Sequence, residues 1–192
     1  REFARDYKET GKWSLQRLEK YKDNKKNSDK PKYVGTLDEE GNDNKKLRTL
    51  QSCLRITYTS PKTMHWITVI LSNMLENETS DIIAVIENYC KKKVVDSDYQ
   101  NRNGFGFERI VFSYLDYLIY RDGYSYDGKE IISPMQEDWQ FQFRSSIEHF
   151  QPQHPIEGEC WKEDDLHGFG NLALITISGN SRFSNLPPVG KI

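Results

Sequence analysis

The sequence predicts an α+β fold, with a mainly helical body followed by a small C-terminal finger of two strands and a helix. Three observations predict it. Apolar side chains recur at helical spacing through residues 47–121. The period then drops to two at Trp139, Phe141 and Phe143, and a nearly continuous apolar run opened by Gly170 reaches Ile177. The expected boundaries are 1–123 for the body, including a mobile polar loop at 22–46, and 124–192 for the finger.

Residues 3–21 read as the end of a helix with Trp13, Leu15 and Leu18 as its apolar positions. Residues 22–46 are rich in Lys, Asn and Asp with one Pro and two Gly, a composition that suits a solvated loop. Its lysines are diluted by acids and form no phosphate-binding run. Residues 47–58 make a helix that ends at Ser60-Pro61, because a residue before proline avoids the helical region. Residues 63–77 make a second, on Trp66, Ile67, Ile70, Leu71, Met74 and Leu75. Ser80 is placed to cap a third, whose apolar face is Ile82, Ile83, Val85, Ile86 and Tyr89. The triple lysine Lys91-Lys92-Lys93 at its end complements the helix dipole without any ligand. After the break at Asn101-Arg102-Asn103-Gly104, residues 107–121 form a fourth helix. Tyr114, Tyr117, Leu118 and Tyr120 on it read as core rather than as a platform for stacked bases. In the finger, residues 139–144 are expected as the first strand and 169–177 as the second, with Asn180 starting the helix.

Composition bounds what the chain can do. The 192 residues, 36% hydrophobic and 29% charged, are enough for a substantial core in a polar molecule. No apolar run approaches the ~18 residues of a membrane span and no signal-peptide pattern opens the chain, so no membrane partner and a cytoplasmic location are expected. Arg1 falls inside what reads as helix, so the chain is taken as part of a longer protein. A net charge of −2 argues against tight DNA binding through a broad basic face. It leaves room for a nuclease whose DNA another domain delivers. Cys53, Cys90 and Cys160 lie far apart with no C-x-x-C, which argues against a zinc knuckle and suits reduced thiols.

Three ordered motifs carry the chemistry. They are Ile147-Glu148-His149-Phe150-Gln151-Pro152-Gln153, then Gly170-Asn171-Leu172-Ala173-Leu174-Ile175, then Asn180-Ser181-Arg182-Phe183-Ser184-Asn185. Hydrolysis of a phosphodiester needs a base for water, a cation for the developing charge and help for the leaving oxygen. His149 suits the base, since an ordinary imidazole is mostly neutral near pH 7. Glu148 and Asn180 offer hard oxygens for Mg²⁺ or Mn²⁺. Neighbours on a strand point to opposite faces, so Glu148 and His149 converge only where the strand ends, and Pro152 supplies that end. Asn171 is placed to clamp the loop after His149. Arg182 is placed to hold a phosphate bidentately, with Arg144 and Lys191 as the other cations for nucleic acid.

The remaining polar residues have plainer readings. His154 and His167, in or beside an acidic insertion, read as surface residues, and His65 in an apolar helix reads as structural. Glu157, Glu159, Glu163, Asp164 and Asp165 read as a solvated loop rather than a second metal site. A Glu-His pair alone would more often be a buried structural histidine, but three ordered motifs in compatible context outweigh that.

The motifs resemble the ββα-metal (HNH) finger of the C-terminal domain of GmrSD-type modification-dependent restriction enzymes, whose other half is a ParB-like NTPase domain. Residues 147–153 and 170–185 carry most of the likeness, and 112–118 and 50–75 resemble the helical body before the finger in that family. More distantly, the finger resembles the HNH domain of RNA-guided CRISPR nucleases, where Asp-His stands in place of Glu148-His149. The resemblance implies His149 as general base, Asn180 as metal ligand and Asn171 as the asparagine that fixes the loop. It also implies DNA as substrate and an N-terminal NTPase or sensor domain as partner. The function expected is a metal-dependent DNA endonuclease or nickase of a prokaryotic restriction or anti-phage system. The alternative is a non-catalytic helical DNA-binding or protein-interaction module with a degenerate finger.

Overall fold

A computed structural model describes residues 2–5, 13–23, 28–35, 42–77, 81–137, 139–156, 158–183 and 185–191. Among the described residues the architecture is α+β, with four long helices and two short ones, a two-stranded finger near the C-terminus, a small hairpin before it and an N-terminal sheet that the sequence did not suggest.

That sheet corrects the reading of the first forty residues. Strands β1 (Glu2–Arg5), β2 (Trp13–Asp23) and β3 (Ser28–Gly35) form an antiparallel sheet in the order β1-β2-β3. Residues 3–21 are therefore not a helix end, and residues 28–35 are paired strand rather than loop. Gln16 stands opposite Gly35 and Asp23 opposite Ser28. Ladder hydrogen bonds between distant segments override the polar composition of β3. Helix α1 (Asn42–Thr57) also begins inside the expected loop.

The helical body has the expected periodic core. Leu47, Leu50, Cys53 and Leu54 of α1 meet Trp66 and Ile70 of α2 (His65–Glu76), and Ile82, Ile86 and Cys90 of α3 (Ile82–Asp96). Ile110, Val111, Tyr114 and Tyr117 of α4 (Arg109–Asp122) complete the cluster. Each side recurs every three or four residues, so one stripe of each helix leaves water. The cap of α3 is Asp81, whose carboxylate accepts from the amides of Ile83 at 2.9 Å and Ala84 at 3.2 Å. Ser80, expected in that role, lies outside the described residues. His65, expected as structural, is exposed on the first turn of α2.

Helix α4 belongs to two cores. Its inner face joins the helical body, while Phe112, with Phe107 just before the helix, packs on Leu174, Ile147, Phe169 and Leu172 of the finger. Phe112 stacks on Phe169 at 5.0 Å between centroids, and Phe107 meets the same ring at 5.3 Å. Gly123 ends α4 at φ +75°, where a Cβ would stand 2.7 Å from the Ile132 carbonyl oxygen. The chain turns there into a hairpin of β4 (Tyr124–Tyr126) and β5 (Lys129–Ile132).

The first finger strand is not where period two placed it. Residues 139–145 run without ladder pairing, and the strand is β6 (Ser146–His149). Trp139 stacks on Tyr120 of α4 at 5.1 Å, and Phe141 meets Trp139 edge-on at 4.5 Å and packs against the helical core, so these two aromatics cover the body instead of joining a sheet. The partner strand is β7 (Leu172–Ile175), shorter than the expected 169–177.

Candidate active site

The site grows from a short antiparallel ladder. Ser146 pairs with Ile175, Ile147 with Leu174, Glu148 with Ala173 and His149 with Leu172. The Phe150 amide extends the ladder by donating to the Asn171 carbonyl at 2.8 Å. Beyond it the chain must leave the sheet at Pro152, which is buried and has no amide proton to give.

Asn171 holds that exit. Its side-chain oxygen accepts from the Gln151 amide at 2.7 Å, and its Nδ2 donates to the carbonyls of Gln151 at 3.1 Å and Leu166 at 2.8 Å. The side chain is buried and ties together the loop after β6 and the turn before β7. A short helix α5 (Glu163–Leu166) precedes that turn. Asn171 reads as a structural clamp in these contacts, since none of them involves the cleft.

His149 ends β6 with 3% of its surface exposed. Its Nε2 lies 3.0 Å from Nδ1 of His167, and the ring of Phe105 meets it edge-on at 5.1 Å between centroids. Burial lowers the His149 pKa below its ordinary value, and the neighbouring His167 lowers it further. Glu148 opposes this and Lys191 adds to it. The net effect favours neutral imidazole, the form able to accept a proton.

His167 and Lys191 depart from their sequence readings. His167 is half-buried and bonded to His149 rather than a free surface residue. The Lys191 side chain is only 2% exposed, and its ammonium donates to Glu148 Oε1 at 2.9 Å and to the His149 carbonyl at 2.6 Å. It is an internal cation rather than a surface contact for phosphate. Arg144 is half-exposed and pairs with Asp116 of α4 at 3.4 Å. Arg182 is exposed on α6 (Ile177–Phe183).

Helix α6 begins three residues before Asn180, so Asn180 sits inside the helix instead of starting it. Thr176 starts it: its hydroxyl accepts from the Gly179 amide at 3.0 Å and its carbonyl accepts from the Asn180 amide at 2.9 Å. This placement carries Asn180 to one wall of a cleft of about 330 Å³ whose other walls include Glu148, His149 and Phe105. His154, exposed as expected, and Asn185 also line it.

The oxygen-bearing side chains of this cleft are the Glu148 carboxylate, the Ser181 hydroxyl and side-chain amides, a hard set that suits Mg²⁺ or Mn²⁺ retaining much of its water. Lys191 already shares one oxygen of Glu148, which reduces the negative charge available to a divalent ion. Among the described residues, no group of three or more His, Cys, Asp or Glu side chains is arranged to hold a metal. The described acids of the insertion, Glu159, Glu163, Asp164 and Asp165, are exposed. Among the described residues, no helix is long and apolar enough to cross a membrane.

Sequence reasoning missed His167 and Phe105 as members of the site, and it assigned Lys191 to nucleic acid rather than to Glu148. His167 stands four residues before Asn171, and that spacing places it on the turn that Asn171 clamps. Lys191 gave no local signal, because its partner lies 43 residues away.

Comparison with known proteins adds one match. The family model described as GmrSD restriction endonucleases, C-terminal domain, matches residues 94–192, slightly more than half of the chain. The matched segment starts in the last turns of α3 and therefore includes α4 and the turn carrying Phe105. No curated protein and no solved structure matches the chain.

Proposed function

This chain belongs to the family of GmrSD restriction endonuclease C-terminal domains, and we propose that it is an HNH-type, metal-dependent DNA endonuclease or nickase. The observation that carries the reading is the meeting of Glu148, His149 and Asn180 in one cleft, drawn from β6 and α6. His149 is the general base in this reading. It takes a proton from water as the water oxygen bonds to phosphorus, the bond from phosphorus to the leaving oxygen breaks, and solvent supplies that oxygen's proton. Glu148 and Asn180 would hold Mg²⁺ or Mn²⁺, which would supply positive charge to offset the charge that develops on the phosphate. Arg182, exposed on α6 next to Ser181 of the cleft lining, steadies the DNA backbone, and Arg144 contributes if its pair with Asp116 opens. The neutral imidazole favoured by burial supports the base assignment.

The biological setting proposed is a cytoplasmic prokaryotic defence system against modified or phage DNA. An N-terminal NTPase or sensor domain chooses the target there. A body of residues 1–123 and a finger of 124–192 remain the working division. The core shared by α4 and β7 means that the catalytic unit extends into the body.

The Lys191 contact favours a second reading, in which a compensated Glu148 leaves the finger able to bind DNA without cutting it. Nicking of supercoiled plasmid with and without Mg²⁺ separates the two. The active protein should lose about 10²–10⁴-fold on His149→Ala, the usual contribution of a general base. Asn180→Ala should raise the Mg²⁺ concentration needed. Equal nicking by a folded His149→Ala protein would overturn the assignment.

A further inference from the structure

The proton on His149 has to sit on the right nitrogen. A neutral imidazole carries one N–H and one bare nitrogen, and the partner of one decides the state of the other. His149 offers Nε2 to His167 Nδ1 at 3.0 Å, the one hydrogen bond that the His149 ring makes among the described residues. Two neutral rings in contact need one donor and one acceptor. If His167 donated, Nε2 of His149 would be consumed as acceptor and Nδ1 would carry the proton, leaving no lone pair for water. If His149 donates, Nδ1 is bare.

We propose that His167 is a positioning residue that accepts the Nε2–H of His149 and thereby leaves Nδ1 as the basic atom. The proposal rests on the reading of His149 as general base.

The seat of His167 is built for this. Its amide donates to the Glu163 carbonyl at 2.9 Å, and its carbonyl accepts from the Gly104 amide at 2.8 Å. The Leu166 carbonyl beside it is held by Asn171. Gly104 has φ +51°, and a Cβ there would lie 3.0 Å from His167 Nδ1 and 3.4 Å from its Cγ. A side chain on residue 104 would therefore press on the accepting atom itself. The next residue, Phe105, meets His149 edge-on. One turn of the body thus braces both rings, which gives residues 104–105 a role that periodicity cannot express.

The test compares His167→Phe, which removes the acceptor, with His167→Asn, which keeps an oxygen near the position of Nδ1. In plasmid nicking at saturating Mg²⁺, His167→Phe should lower kcat by about 10–100-fold with little change in KM, in line with loss of a residue that orients a functional histidine. His167→Asn should recover most of that loss. Nitrogen-15 NMR of the wild-type protein should report His149 protonated at Nε2 and bare at Nδ1, and His167→Phe should mix the two tautomers. A folded His167→Phe protein with wild-type kcat, or His149 protonated at Nδ1, would overturn the inference. If His149→Ala is inactive while His167→Phe is fully active, the inference alone fails. If His149→Ala stays active, the base assignment fails and takes the inference with it.

Discussion

The helical body and the finger are held together by different physics. In the body, thirteen of the described residues, from four helices, form one apolar cluster. The finger has three buried apolar residues of its second core, two of them, Phe107 and Phe112, lent by the body. What it adds is polar: the three bonds of Asn171, the Lys191 ammonium on Glu148 and the His149–His167 contact. The cleft of Glu148, His149 and Asn180 is lined largely by polar side chains, which add no apolar stripe of their own. It therefore leans on α4 for apolar support and uses hydrogen bonds to fix its own shape.

The largest expected effect tests the body. Leu50 is fully buried on α1. Leu50→Ala should cost about 2–5 kcal/mol, the transfer of the side chain plus the cavity left behind. Thermal or chemical unfolding should register this as one cooperative loss. Because α4 is common to both cores, hydrogen exchange should then speed up in body and finger alike. Protection retained in the finger after Leu50→Ala would mean that the finger stands on its own, against the shared core.

Lys191→Ala makes the converse test, with a smaller effect. It removes an ammonium that is 2% exposed and leaves Glu148 Oε1 and the His149 carbonyl without their partner. Breaking a fully buried pair costs ~3–5 kcal/mol; the partial exposure of Glu148 reduces this to roughly 2 kcal/mol after solvent screening. Exchange should accelerate in β6 and β7 while the amides of α1 and α3 keep their protection. Uniform acceleration throughout the chain would erase the distinction between the two regions.

The same contrast explains what the sequence made legible. The four helices are visible because each buries a stripe whose spacing, Leu47, Leu50, Leu54 for example, is written locally. The N-terminal strands are not, because the pairing of Lys30 with Tyr21 and Lys32 with Glu19 is a fact about two segments, and neither segment alone has a strand pattern. Trp139 and Phe141 misled for the opposite reason: their alternation is real, but Tyr120 takes up the aromatic surface that a partner strand would have covered. In the finger, Glu148, His149, Asn171 and Asn180 were readable as a set because three motifs occur in order. The residues that support them were not, since a lone His167 or a terminal Lys191 has no signature apart from its partner. Fold is legible where burial is periodic, and a site where its residues cluster in short motifs.

The smallest expected effect, and the sharpest in sign, concerns pH. Burial and His167 lower the pKa of His149 in the finger. The unfolded chain therefore takes up this proton more readily than the folded one. The stability attached to His149 is fully present above the unfolded value of about 6.5 and is lost as pH falls from there through the folded pKa. Asp116 in the body shifts the other way, raised by burial against the lowering pull of Arg144. There the folded state holds the proton more tightly, and the associated stability is present below the unfolded value of about 3.9 and is lost as pH rises through the folded pKa. Thermal midpoints of wild type, His149→Gln and Asp116→Asn, followed from about pH 8 to about pH 3, separate the two. On acidification below about 6.5, wild type should lose stability relative to His149→Gln. Toward the acid end it should gain relative to Asp116→Asn, since a protonated Asp116 and an asparagine differ little in charge. Parallel curves for wild type and His149→Gln would mean that His149 is not the buried, neutral group that the proposed general base requires.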